Sequence, residues 1–211
     1  MNKIYHYFQQ LWSFSSGRIL RIPVGKDRFW FWGEVFVWGI ALWLCHYRTT
    51  ALIYGILLGI FLFWSSITDI RWRMVPIFFI GIGIIGFALA RFILAKTISL
   101  AHIGIELLVI LMAGIFINTT YRYFRKRSGW GWGDTAILLL MGSAMGLLPT
   151  FMAYIIGVLS AACWSVYLLL RKKGRAKTAI PLVPFLTIGT LIIWMWGEKI
   201  LLWWNTYLIF G

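Results

Sequence analysis

From residue 30 onward the chain is a series of long apolar runs, separated by short basic or glycine-bearing stretches. About 20 apolar residues coiled as a helix match the ~30 Å hydrocarbon core of a bilayer. Inside lipid the backbone N–H and C=O groups have no water to bond, so such runs must be helical. The pattern predicts spans at about 30–46, 50–68, 76–96, 98–118, 134–149, 151–170 and 181–197. The expected fold class is therefore an all-α polytopic membrane protein of about seven transmembrane helices. Residues 1–28 mix aromatic and basic positions around Gly17, Pro23 and Gly25, which suits an N-terminal cytoplasmic segment lying in the headgroup layer. Residues 29–211 are read as one transmembrane domain. The pattern leaves open whether residues 200–210 continue the last helix past Gly197, Glu198 and Lys199.

Composition sharpens this picture. The chain is 61% hydrophobic and 12% charged, far from the mix of a soluble domain. A net charge of +14 would suggest nucleic acid in a soluble protein. Here, however, sixteen of the twenty Lys and Arg fall in the N-terminal arm and in the stretches 70–75, 119–130 and 171–177, between alternate spans. That is the positive-inside pattern, in which cytoplasmic loops lie against anionic phospholipid. No nucleic-acid partner is expected, and the N-terminus is placed in the cytoplasm. The start, from Met1 to Ser16, lacks the apolar core of a secretory signal and is expected to be retained. The two cysteines, Cys45 and Cys163, lie in separate apolar runs and encode neither a disulfide framework nor a zinc site.

Only six acidic residues occur: Asp27, Glu34, Asp69, Glu106, Asp134 and Glu198. A carboxylate in or beside a span is costly unless it is paired or faces a cavity, which makes it a candidate for function. Asp69 closes the second span, where the negative end of the helix dipole opposes its charge, so something must compensate. Arg71 and Arg73 are the nearest cations in sequence. Asp134 opens the fifth span within Gly131-Trp-Gly-Asp134, whose glycines permit close approach of another chain such as a substrate strand. A plain helix N-cap is the competing reading of Asp134. The charge layout puts both aspartates at the cytoplasmic face. Two carboxylates at one site can share a proton, one acting as base toward water and the other as acid toward a peptide carbonyl.

Three ordered segments resemble the type IV prepilin peptidases: Asp69-Ile-Arg-Trp-Arg-Met-Val-Pro76, Gly131-Trp-Gly-Asp134, and Ile180-Pro-Leu-Val-Pro184-Phe-Leu186 with Gly189. The resemblance implies an intramembrane aspartyl endopeptidase with Asp69 and Asp134 as catalytic pair. Its substrates would be prepilins or pseudopilins, cut after a Gly that ends a short basic leader, at the cytoplasmic face of a bacterial inner membrane. Gly131, Gly133, Arg71 and Arg73 would contact substrate, and the family's substrates typically carry a Glu early in the mature helix. Ile77 and Ala136 stand where the family often has Asn or Asp and Lys, so those positions carry no role here. The paired CxxC motifs of the larger, methylating relatives are missing from this sequence. A short form is implied, with no metal and no cofactor.

Other polar residues are assigned no chemistry. His102 and Glu106 share a helix face, and Arg91 is expected either to pair with Glu106 or to reach out to the headgroups. Glu34 is expected to pair with Arg28 or another residue of the basic arm, with a contact to the substrate leader as the alternative, and tryptophans near span ends read as interface anchors. Two other classes compete: a presenilin-like protease, whose aspartates lie on consecutive spans, and a catalytically inactive assembly component or transporter of the same fold.

Overall fold

The computed structural model describes residues 49–95, 97–125, 131–171 and 180–204. The chain divides between Val35 and Phe36 into two units, and every described residue lies in the second. The expected span at 30–46, the arm at 1–28 and the boundary between 28 and 29 fall outside the described residues. Among those described there are six helices and no strand: α1 (Thr49–Trp72), α2 (Ile77–Ala95), α3 (Leu100–Arg125), α4 (Trp132–Met145), α5 (Leu147–Leu170) and α6 (Val183–Trp204). Four segments, Ile53–Trp72, Ile77–Ala95, Leu100–Tyr121 and Leu147–Leu170, are long and apolar enough to cross a membrane. Their outward faces carry Leu57, Ile60, Phe78, Ile85, Met112, Phe116, Phe151 and Leu159 exposed. A water-soluble protein does not leave so continuous an apolar surface bare.

Helix α4 is different. Its 14 residues reach only about 21 Å, too short to span unaided, yet it touches every other described helix. Thr135, Ile137, Leu138, Leu140, Met141, Gly142, Ser143 and Ala144 are all buried. A helix enclosed by its neighbours rather than by lipid has no need to match the bilayer thickness.

Helices α5 and α6 make the closest crossing. A Cβ on Gly189 would lie 2.2 Å from the Ala153 carbonyl oxygen and 3.0 Å from the Gly157 nitrogen. Small residues let backbones approach where lipid supplies no hydrophobic driving force.

Four boundaries differ from the pattern. Helix α1 runs on to Trp72 and α3 to Arg125, so Arg71, Arg122 and Arg125 sit on the last turns of helices rather than in loops. Helix α6 continues to Trp204, through the part of 200–210 that is described. The break between the fifth and sixth expected spans falls at Gly146, not at residue 150. Gly146 has φ 89° and ψ 176°, a conformation open essentially only to glycine. Pro149 lies in the first turn of α5, where its missing N–H is no loss.

Candidate active site

The C-terminal turn of α1 brings Asp69 to one end of the bundle. Its side chain is 9% exposed and its Oδ2 accepts the Val183 N–H at 3.1 Å. The Leu182 N–H also favours the charged carboxylate. These are donors at the N-terminus of α6, where no intrahelical acceptor exists. Pro184 removes a further donor from the same turn, and the Phe185 and Leu186 N–H groups return to the Leu182 carbonyl at 3.1 Å each. The compensation demanded by the dipole of α1 thus comes mainly from another helix, whose positive N-terminus faces the carboxylate. Arg73 adds its charge, acting on Asp69 electrostatically. The surrounding layer is polar: Ser65, Ser66, Thr68 and Thr187 are buried, and the Ser66 and Thr187 hydroxyls bond at 2.9 Å across α1 and α6.

Helix α1 ends in an unusual way. The Arg73 N–H donates to the Asp69 carbonyl at 2.9 Å while Arg73 itself takes φ 52°. Glycine normally fills this left-handed closing position.

Asp134 stands third in α4, with Gly131 as the N-cap. It is not the cap residue: its Oδ2 accepts the Gly131 N–H at 3.0 Å, so the carboxylate folds back over the start of its own helix. Gly133 has a definite steric task. A Cβ there would meet the Val75 side chain at 2.7 Å, so glycine lets the start of α4 close on the loop that follows Asp69. The close approach that the glycines allow is thus made, at Gly133, by the chain's own Val75. Gly131 is exposed beside the Asp134 carboxylate.

These contacts bring the two aspartates to one place. Asp69 and Asp134 act on each other electrostatically, and Asp134 acts likewise on Tyr154 of α5. Arg71 is half-buried and Arg73 exposed, both on the Asp69 side. All three segments singled out in the sequence therefore meet: the end of α1 with its loop to Pro76, the start of α4, and the start of α6. The Ser66–Thr187 pair and Tyr154 were not singled out beforehand. Serine, threonine and tyrosine inside apolar runs carry no charge signal that would distinguish them from packing residues.

Neither a family model, nor a curated protein, nor a solved structure matches this chain. The functional reading rests on the residues and their geometry.

A second polar cluster lies at the opposite end of α4. Arg91 pairs with Glu106 at 2.5 Å, with both side chains about one-seventh exposed or less. Arg91 also donates to the Gly142 carbonyl at 3.4 Å, and Glu106 Oε1 accepts the Leu147 N–H at 3.3 Å. His102 Nε2 lies 3.6 Å from the same oxygen. The expected Arg91–Glu106 pairing is present, and it spans the Gly146 break.

Proposed function

We propose that this chain is an intramembrane aspartyl endopeptidase in which Asp69 and Asp134 share one proton. One carboxylate activates water and the other protonates the peptide carbonyl or the leaving amine. The observation that carries this reading is the convergence of two carboxylates from α1 and α4 at one end of the bundle, close enough to feel each other's charge. Two like charges near a membrane are costly, and a shared proton removes one of them. The three-segment resemblance makes the substrate class the type IV prepilins and pseudopilins, cut after the Gly that ends a basic leader. Seven spans with a cytoplasmic N-terminus in a bacterial inner membrane complete the proposal, with anionic phospholipid against the basic loops. Gly131 then shapes the approach of the substrate strand, Gly133 holds Val75 against the start of α4, and Arg71 and Arg73 contact the substrate's acidic residue.

One observation favours a second reading. Asp69 holds the N-terminus of α6, which is a sufficient structural task for an inactive assembly component or transporter. Protein purified in detergent and incubated with a prepilin separates the two. Cleavage after the leader Gly, lost in both Asp69→Asn and Asp134→Asn, supports the peptidase. No cleavage by wild type, or normal cleavage by either variant, refutes it.

A further inference from the structure

The buried positions of α3 that carry its packing are Ile103, Ile110, Gly114 and Asn118. Spacings of seven, four and four put them on one stripe. That stripe faces α4: a Cβ on Gly142 would meet Ile110 Cδ1, and one on Gly114 would lie 2.5 Å from Thr135 Cγ2. The two helices run in opposite directions, so one turn beyond Gly114 is level with the turn before Thr135. That register puts Asn118 level with the Gly131–Asp134 turn.

Asn118 is 9% exposed, and its Oδ1 has no hydrogen-bond partner among the described residues. An acceptor left unpaired out of water costs about 1–3 kcal/mol, and leucine, branched at the same atom though bulkier, would carry no such cost. The stripe is otherwise apolar or glycine, so packing does not explain the amide. A peptidase acting on a transmembrane helix does explain it. Main-chain groups in a helix are bonded internally, and the scissile segment must leave the helix before a carboxylate can reach its carbonyl. Unwinding frees N–H groups where little water is available to receive them. An enzyme acceptor already in place offsets that cost.

We propose that Asn118 is a substrate-positioning residue whose Oδ1 accepts a main-chain N–H of the extended substrate segment beside Asp134. This rests on the peptidase reading, and it adds a site residue on a third helix.

The test uses full-length protein in detergent and a synthetic peptide with a basic leader, Gly and the first apolar residues of a pilin. A companion set replaces one amide by an ester at each position near the cleavage site, removing one N–H at a time. In Asn118→Leu, KM for the all-amide peptide is expected to rise about tenfold, with kcat retained and the melting temperature unchanged or higher. One ester position should raise KM in wild type and have no further effect in Asn118→Leu. Should that variant not fold, Asn118→Ser is expected to show the same silent position. Unchanged KM, a loss confined to kcat as for a residue that orders the attacking water, or losses that add at every ester position would overturn the assignment. Wild type that fails to cut the all-amide peptide overturns the peptidase reading itself, and this inference with it. Cleavage by wild type together with an indifferent Asn118→Leu removes only the inference.

Discussion

The two ends of α4 place buried charges at helix termini in opposite ways. At the Gly146 end a cation meets the Gly142 carbonyl in the last turn of α4 and an anion meets the first N–H of α5, while the two also pair with each other. Each charge there lies against the helix end that favours it. At the Asp134 end two anions converge instead. One bonds the first N–H groups of α6, the other folds over the start of α4, and Arg73 acts on Asp69 from an exposed position. Opposite charges make a joint; like charges make a pair that can exchange a proton. The same element carries both because a short helix enclosed by its neighbours keeps both termini within protein.

Breaking the comparison at the Asp end should affect chemistry alone. Asp69→Asn and Asp134→Asn are each expected to lower turnover by about 10²–10⁴-fold or more, with little change in melting temperature, because an asparagine oxygen still accepts the N–H groups of Val183 or Gly131. Wild-type turnover should follow a bell-shaped pH profile that belongs to both carboxylates jointly. Prepilin cleavage and thermal unfolding measured on the same samples check both points. A large fall in melting temperature would mean that the aspartates are chiefly structural.

Breaking it at the Arg end should do the reverse. Arg91→Met strands Glu106 without its cation and is expected to cost about 3–5 kcal/mol, read as unfolding by tryptophan fluorescence. Adding Glu106→Leu should recover much of that loss, since an apolar pair replaces a buried ion pair at little net cost. Turnover per folded molecule should stay near wild type in both. Smaller again is Gly146→Ala, expected to cost about 1–3 kcal/mol through its backbone conformation. A Cβ there would also lie 2.7 Å from Arg91 Nη2.

Much of this could be read from the chain because charged residues in an apolar background are conspicuous. Asp69 and Asp134, the ends of their helices and the Arg91–Glu106 pair all stood out for that reason. What stayed hidden depends on tertiary contact. The bond between Asp69 and Val183 joins residues 114 apart, and no local pattern reveals which helix start answers a distant carboxylate. The apolar pattern runs on past Gly146 to an expected break at residue 150; in the fold Arg91 and Glu106 bond the two helix ends that meet at Gly146. Asn118 passed as part of a span, since one amide in an apolar run becomes informative only when its partners are known. The glycine of the Gly-x-Gly-Asp segment that closes on Val75 was legible as a place of close approach, but not as one filled by the chain itself.

The smallest expected effect concerns the cation on the Asp side and separates backbone strain from charge. Arg73 closes α1 with φ 52°, a conformation that costs most residues about 1–2 kcal/mol and asparagine less. Arg73→Asn therefore removes the charge while easing the backbone, so the variant is expected to be as stable as wild type or slightly more so. A residue kept in a strained conformation against stability has another use, and here its charge acts on Asp69. If Arg73 also meets the early Glu implied for the substrate, a charge-assisted bond of about 1.5–3 kcal/mol is at stake, reduced by the residue's exposure to solvent. A Glu-to-Gln pilin and the Arg73→Asn enzyme should then each lower kcat/KM several-fold, with little further loss when combined. The same cycle with Arg71→Gln shows which arginine holds the contact. Losses that multiply independently for both arginines would leave Arg73 acting on Asp69 alone. In that case kcat/KM of Arg73→Asn would fall equally for the Glu and Gln pilins.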